Sequence, residues 1–341
     1  MADKQPIPRE QHGSSWPEII RFFHSDLRNR LAKLPLPFRS EIIEIRCRVN
    51  RPVELNCGKR HVFLTEDGGV TDDFREAGVM SIDELRKLIS ALTTGSYYAL
   101  EAEIAQGYIG LPGGHRVGFT GRVVQNAGKI QTIQHISSVN FRIARRVAGI
   151  ARPLLPLLWK DGRFLKTLII SPPAAGKTTL LREIIREFSY GVSQLNIPGH
   201  HIGVVDERSE LAGSYLGVPQ LDLGPRSDIL DACPKEEGVY LLLRSMNPQI
   251  IATDEVGREK DQQIIADIIN AGVSFITTAH ARNLTEAMFR PGLRRILENG
   301  SIERLITLSN RFGPGTLESV KAGAAGPELW LQSQNGGEHR D

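Results

Sequence analysis

A short segment in the middle of the chain constrains its fold and chemistry more than any other part of the sequence. Residues 168–181 read LIISPPAAGKTTLL, an apolar run followed by a Gly-Lys-Thr-Thr turn and a helix-like segment. This strand–loop–helix pattern is typical of a phosphate-binding P-loop, in which backbone N–H groups and a helix N-terminus bind an anion. The sequence therefore predicts nucleotide contacts from Ser171, Pro172, Pro173, Ala174, Ala175, Gly176, Lys177, Thr178 and Thr179.

Two residues of this loop have specific roles in the prediction. Lys177 would reach the outer phosphates of ATP, and the hydroxyl of Thr178 would ligate Mg²⁺. The loop departs from the usual pattern at Ser171, where the first glycine normally stands, and at Ala174. Both residues fit if their φ angles are negative and are strained if φ is positive. The alternative interpretation is a helix-capping turn with a chance Lys-Thr pair.

A second, acidic motif completes the predicted nucleotide site. Residues 248–255 read PQIIATDE, an apolar strand that ends in adjacent carboxylates, as a Walker B motif does. Asp254 would hold Mg²⁺ beside Thr178, and Glu255 would act as general base toward the attacking water. A strand followed by an ordinary acidic turn is the alternative, and the upstream P-loop favours the functional interpretation.

A β-like run between the two motifs indicates the subclass of P-loop protein. Residues 204–208 read VVDER. One strand inserted between the Walker motifs is typical of RecA-like NTPases, whose catalytic glutamate follows the Walker B aspartate. Asp206, Glu207 and Arg208 would then end a strand that faces the phosphates. A surface cluster of salt bridges is the alternative.

One histidine follows the next predicted strand. Residues 274–280 read SFITTAH, so His280 would lie at the tip of the strand that follows the Walker B strand in sequence. A polar side chain there is placed to sense the γ-phosphate, and we predict this role for His280. The alternative is a structural histidine, which is the more common fate of a lone histidine.

The order of the predicted elements indicates two domains. Beyond residue 149, β-like runs alternate with helical ones, which predicts a RecA-like α/β core with a mostly parallel sheet and helices on both faces. The preceding part mixes helix caps with short β-like runs and predicts a smaller α+β domain. The expected boundaries are a disordered N-terminus at 1–13, the α+β domain at 14–148, the ATPase domain at 149–320 and a disordered tail at 321–341.

Composition excludes several classes of protein. The net charge is only +3 and aromatic residues make up 6% of the chain. The net charge is too small to indicate a nucleic-acid partner by itself. The scarcity of aromatic residues and the spread of the basic residues along the chain argue against one, because single-strand binding uses aromatic stacking. No apolar run is long enough to span a bilayer or to form a signal peptide. The sequence thus predicts a cytoplasmic protein that would reach a membrane only through a partner.

Four longer motifs resemble a known bacterial family. Residues 107–118 read GYIGLPGGHRVG, and the others are 205–210 (VDERSE), 231–235 (DACPK) and 244–248 (RSMNP). Together they resemble the stage III sporulation protein AA family, over about residues 41–318. The resemblance implies a Mg²⁺-dependent ATPase, similar to type II and type IV secretion and pilus motors, that energises a transenvelope channel between mother cell and forespore. It also implies a homo-hexamer and membrane-embedded partners from the sporulation channel complex.

The same resemblance implies that arginines of the N-terminal domain act on nucleotide at a subunit boundary. The favoured candidates are Arg116 and Arg122, followed by Arg142, Arg145 and Arg146; each is otherwise a solvated strand or turn residue. Arginine suits the task because its planar guanidinium stabilises phosphoryl charge. Two other functions stay open, a RecA-like ATPase stimulated by nucleic acid and a scaffold that binds ATP to assemble without hydrolysing it.

Overall fold

Two compact units make up the described chain. The computed structural model describes residues 15–58, 60–93, 101–105, 107–126, 128–144 and 147–331. The N-terminal unit contains the described residues up to 144 together with 213–220, and the C-terminal unit contains 147–212 and 221–331. The expected boundary at residue 148 differs from the observed one by a few residues. The expected ATPase domain differs more, because its segment 213–220 packs in the N-terminal unit.

The N-terminal unit is an α+β structure built on one antiparallel sheet. Its helices are α1 (Ser15–Ile20), α2 (Ser25–Lys33), α3 (Leu36–Arg39), α4 (Ile82–Leu92) and α5 (Glu101–Ala105). Its strands are β1 (Glu44–Arg48), β2 (Glu54–Asn56), β3 (His61–Leu64), β4 (Val70–Thr71), β5 (Tyr108–Leu111), β6 (His115–Asn126) and β7 (Lys129–Arg142), in the sheet order β4-β3-β2-β1-β7-β6-β5.

Local sequence explains two of these elements. In β1, Ile45 and Cys47 are fully buried and alternate with partly exposed charged residues, as a half-buried strand requires. Helix α4 begins with the predicted capping box, in which Ser81 Oγ accepts the Glu84 N–H and the Glu84 carboxylate accepts the Ser81 N–H. Buried leucines on α4 then pack into the core of this unit.

The C-terminal unit is an α/β structure. Its helices are α6 (Leu155–Leu158), α7 (Lys177–Tyr190), α8 (Lys235–Ser245), α9 (Glu259–Asn270), α10 (Leu284–Met288) and α11 (Pro291–Glu298). Its strands are β8 (Trp159–Lys160), β9 (Arg163–Phe164), β10 (Thr167–Ser171), β11 (Ile202–Asp206), β12 (Ser227–Asp231), β13 (Ile250–Glu255), β14 (Ser274–His280), β15 (Arg304–Ser309), β16 (Thr316–Lys321) and β17 (Glu328–Leu331).

Eight of these strands form the sheet that carries the candidate site. Their order is β12-β11-β13-β14-β10-β15-β16-β17, parallel from β12 to β15 and antiparallel at β16 and β17. Ile169 packs with α7 on one face, whereas Leu168 and Ile170 pack with α8, α9 and α11 on the other. Helices therefore cover both faces, and the strands are apolar on both sides as parallel strands require.

The end of the described chain differs from the expectation of a disordered tail after residue 320. Val320 is fully buried on β16, and its partner across the β16–β17 ladder is Trp330. This pairing orders the chain as far as Leu331, and the alanine, glycine and proline residues between the two strands form the connection. The expected disordered N-terminus and residues 332–341 lie outside the described residues. Among the helices of the described part, none has the length and apolarity needed to cross a bilayer.

Candidate active site

The predicted P-loop connects β10 to α7. Ser171 is the last residue of β10 and is fully buried, and its hydroxyl donates to the Pro172 carbonyl at 2.7 Å. Its φ angle is not positive, so serine fits where the usual pattern has glycine. Pro172 is half-buried, Pro173 is exposed and Ala175 is buried along the rest of the loop.

The second departure from the usual pattern is strained. Ala174 has φ +57° and Gly176 has φ +85°, both in the left-handed region. A non-glycine residue there costs roughly 1–2 kcal/mol, because its Cβ crowds the following carbonyl. Backbone strain of this size is characteristic of ligand-binding loops whose conformation the surrounding structure enforces.

The N-terminus of α7 offers an anion-binding end. Gly176 is its N-cap, and no side chain caps the helix there. The first N–H groups of a helix have no intrahelical partner, so those of Lys177, Thr178 and Thr179 are directed at whatever lies before the helix. Thr178 and Thr179 are half-buried in this first turn.

Lys177 places a buried positive charge at this helix end. The residue is 9% exposed, and its Nζ lies 3.2 Å from both Nδ1 and Nε2 of His280. Within the described ranges, no carboxylate oxygen lies within 4 Å of this amine. Burial lowers the pKa of Lys177, although Glu255 and Asp254 act in the opposite direction. A buried ammonium without a close counter-charge favours an anionic ligand.

A β-bulge sets the direction of the acidic pair on β13. Ala252 pairs with Ile276 on β14, whereas Glu255 pairs with Thr278, so β13 has one extra residue between these positions. The Thr277 hydroxyl donates to the Asp254 carbonyl at 2.7 Å and fixes the bulged segment. Bulges of this kind occur beside active sites, where they redirect side chains.

The Asp254 carboxyl is buried among other acids. Burial raises its pKa to about 6, and the nearby charges of Glu210 and Asp206 add to the shift. A cation would relieve this repulsion, and a carboxylate and the Thr178 hydroxyl are oxygen ligands that suit Mg²⁺. No cluster of three His, Cys, Asp or Glu ligands is present in the described residues.

Glu255 and His280 meet at the same edge of the sheet. The Glu255 side chain is 32% exposed, and its Oε2 lies 3.6 Å from His280 Nε2 and 3.5 Å from Arg208 Nη1. Burial, followed by the Lys177 charge, lowers the pKa of His280. The imidazole lies between Lys177 and Glu255, and His280 is the last residue of β14, at the strand tip where the sequence placed it.

The carboxylate of Asp206 has a different role from the one expected. It is fully buried and accepts the N–H groups of Glu210, Leu211 and Ala212 at 2.8–2.9 Å. Burial raises the pKa of Asp206, and the three backbone hydrogen bonds act in the opposite direction without cancelling the shift. Asp206 thus fixes the loop that follows β11 instead of facing the phosphates, and Glu207, half-buried in the adjoining turn, keeps its predicted role as a proposal.

Sequence reasoning missed two residues that support this loop. Arg182 of α7 is half-buried and donates to the carbonyls of Glu210 and Leu211, both at 2.7 Å. Glu210 in turn contributes to the raised pKa of Asp254. Arg182 belongs to none of the motifs identified in the sequence, and Glu210 is the last residue of the VDERSE motif. Both were missed because they act through contacts between segments that are distant in sequence.

The predicted arginines are distributed within the N-terminal unit. The Arg116 guanidinium lies 3.8 Å from the centroid of the Tyr108 ring, which is a cation–π contact. Arg122 is exposed on β6, and Arg142 Nε is 3.9 Å from Glu44 Oε1. Arg145 and Arg146 lie outside the described residues. A role for any of them toward nucleotide stays a prediction.

A buried ion pair supports the backbone after Glu255. Lys235 Nζ donates to the Glu255 carbonyl and lies 3.3 Å from Asp261 Oδ1. The other oxygen of Asp261 accepts the N–H groups of Gly257 and Arg258 at 2.7 and 2.8 Å. Lys235 belongs to the DACPK motif, so this network gives a physical reason for that motif.

The variant Asp261→Asn is expected to lower the free energy of unfolding by about 3 kcal/mol or more, because it leaves the buried Lys235 ammonium without its counter-charge. The matched control is Glu298→Gln, which removes a carboxylate from an exposed pair with Arg294 and should cost less than about 1 kcal/mol. Urea unfolding of both variants measures the difference. Equal costs for the two would show that the buried pair does not stabilise the fold.

Comparison with known proteins gives concordant results. A family model described as sporulation stage III, protein AA matches residues 15–324. The stage III sporulation protein AA of Bacillus subtilis (strain 168) is 41% identical over 303 residues, which cover 89% of this chain and 94% of that protein.

Two solved structures are similar over most of the chain. The ATPase DotB of Legionella pneumophila superposes with a TM-score of 0.53 at 17% identity, covering 88% of this chain and 78% of that one. The ATPase DotB of Yersinia pseudotuberculosis also gives 0.53, at 14% identity, with 84% and 75% covered. The predicted RecA-like fold class is confirmed. By its sequence match over nearly the entire length, this chain belongs to the sporulation stage III protein AA family.

Proposed function

We propose that this protein is a Mg²⁺-dependent ATPase. One observation supports the proposal most strongly: the buried Lys177, with no carboxylate oxygen within 4 Å among the described residues, lies near Asp254, a buried carboxyl whose pKa is raised by burial and by neighbouring acids. The first group needs an anion and the second needs a cation. A triphosphate with its Mg²⁺ supplies both charges in one ligand.

Each residue then has a defined task in hydrolysis. Lys177 and the N–H groups at the start of α7 bind and orient the phosphates, and Thr178 and Asp254 would hold Mg²⁺, which neutralises charge on the phosphate oxygens. Glu255 accepts a proton from the attacking water. His280 contacts both Lys177 and Glu255, so it registers whether the γ-phosphate is present.

The proposal extends to a motor that acts on a membrane partner. Support comes from the family membership and from a fold similar to that of the ATPase DotB. In this account the chain forms a homo-hexamer, Arg116 or Arg122 contacts nucleotide bound by a neighbouring copy, and nucleotide turnover energises a sporulation channel between mother cell and forespore. Glu207 would couple loss of the γ-phosphate to movement of the β11 loop.

Steady-state ATP hydrolysis measured against protein concentration, with light scattering in parallel, tests the proposal. Turnover per chain should rise together with the oligomer, because arginines supplied by a neighbour complete the site. An oligomer that binds ATP without turnover would instead indicate an assembly scaffold. Strong stimulation by DNA, with a steep dependence on salt, would indicate a nucleic-acid motor.

A further inference from the structure

The arrangement of the site determines which way a bound triphosphate runs. His280 and Glu255, the groups of the γ-phosphate end, belong to β14 and β13, on one side of the P-loop strand β10. Strand β15 is the neighbour of β10 on the other side. A triphosphate whose γ end lies at Glu255 therefore extends its nucleoside toward the β15 side. This orientation rests on the function proposed above.

On that side, the loop between β15 and β16 is attached to the P-loop. The N–H of Gly315 donates to the Ala175 carbonyl at 2.9 Å, and the Asn310 side-chain amide donates to the Pro173 carbonyl at 3.3 Å. The backbones also approach closely, since a methyl group placed on Gly176 would lie 3.1 Å from the Gly315 nitrogen. The loop is thus held beside the segment that would wrap the phosphates.

This loop presents an aromatic ring to solvent in a fixed conformation. Phe312 is 66% exposed, and its N–H donates to Thr316 Oγ1 at 3.2 Å while that hydroxyl donates to the Gly313 carbonyl at 2.7 Å. The Arg311 guanidinium lies 5.3 Å from the centroid of the Phe312 ring. An exposed aromatic ring with an adjacent arginine is well suited to stack a nucleobase.

A second apolar group lies at the base of the same loop. A methyl group placed on Gly315 would come within 2.9 Å of Ile150 Cδ1, so this isoleucine already packs against the glycine. Gly315 has φ +86°, which only glycine adopts without strain. The β15 side of the P-loop therefore carries Ile150 against Gly315 and an exposed aromatic ring, Phe312, three residues earlier in the same loop.

We propose that Phe312 is the stacking platform for the purine base of the bound nucleoside triphosphate, with the Arg311 guanidinium beside it. Stacking uses the π-face that every purine has, so the platform contributes affinity without reading the exocyclic groups of the base. Removing the Phe312 ring should therefore lower the affinities for ATP and for GTP by a similar factor. Binding of the triphosphate group alone should be unaffected.

Calorimetric titration of the full-length protein separates these contributions. Phe312→Ala is expected to lower the affinity for Mg²⁺–ATP and for Mg²⁺–GTP by about tenfold or more, where each factor of ten corresponds to about 1.4 kcal/mol of binding free energy. The affinity of the same variant for Mg²⁺–tripolyphosphate should stay within about twofold of the wild-type value. Phe312→Trp should retain nucleotide affinity. The matched control is Phe289→Ala. Phe289 is also an exposed phenylalanine, at 82%, but it follows α10 and does not belong to the loop between β15 and β16.

The outcomes distinguish this inference from the proposed function. Unchanged ATP affinity in Phe312→Ala would overturn the platform while leaving the phosphate site intact. An equal loss for ATP and tripolyphosphate would also overturn it, because it would show that the loop merely supports the P-loop. Failure of both ligands to bind the wild-type protein would overturn the proposed function, and the platform with it.

Discussion

Replacing Lys177 with alanine is expected to lower ATP turnover by at least about 100-fold, the loss typical of removing one preorganised charge-stabilising donor. The affinity for Mg²⁺–ATP should fall as well, because the buried ammonium contacts phosphate in the ground state too. Steady-state hydrolysis and calorimetric titration measure the two effects. Lys160→Ala is the control, since Lys160 is exposed on β8 and should tolerate the same truncation without a change in either quantity.

The same variant distinguishes loss of function from loss of folding. Burial lowers the pKa of Lys177, so the folded chain holds this amine in its charged form at a cost. The free energy of unfolding of ligand-free Lys177→Ala should therefore be no lower than that of the wild type. Hydrolysis at the wild-type rate would contradict the phosphate-binding role. A lower free energy of unfolding would show that the amine serves the fold.

Glu255→Gln is expected to retain ATP binding and to lose about 10²- to 10⁴-fold in turnover, the usual contribution of a general base. The amide preserves the shape of the side chain but cannot accept the proton of the attacking water. After incubation with ATP, the isolated complex should contain ATP where the wild type contains ADP. Chromatography of the released nucleotide measures this ratio.

A matched carboxylate provides the control for this second prediction. Glu259 lies in the first turn of α9, its side chain is 70% exposed, and its Oε1 is 3.7 Å from Arg295 Nη1. Glu259→Gln removes the same charge four residues away and should leave turnover unchanged. Equal hydrolysis by the wild type and Glu255→Gln would refute the catalytic assignment of Glu255.

The sequence predicted those parts of the site that depend on short, contiguous patterns. An apolar run and a Gly-Lys-Thr-Thr turn define β10 and the start of α7, and adjacent acids mark the end of β13. Local patterns succeed here because the chemistry of a P-loop requires particular backbone groups at consecutive positions. The same reasoning placed His280 at the tip of the strand that follows the Walker B strand, and β14 ends at this residue.

What the sequence could not predict depends on contacts between distant segments. The carboxylate of Asp206 is occupied by N–H groups that follow it, and the bulge in β13 appears only when that strand pairs with β14. Likewise, the pairing of Lys235 with Asp261 joins two helices, α8 and α9. The chain is ordered up to Leu331 because Trp330 on β17 pairs with Val320 on β16. The glycine-rich composition of this part of the sequence does not reveal that pairing.

The account depends most directly on a magnesium–triphosphate unit held between the Gly176–Thr178 turn and the acidic pair Asp254–Glu255. Calorimetric titration of the purified, folded chain with ATP, in the presence and absence of Mg²⁺, tests it in one experiment. We expect a heat of binding that corresponds to one ATP per chain, with a lower affinity for ATP when Mg²⁺ is withheld. No heat of association in the presence of Mg²⁺ would contradict it.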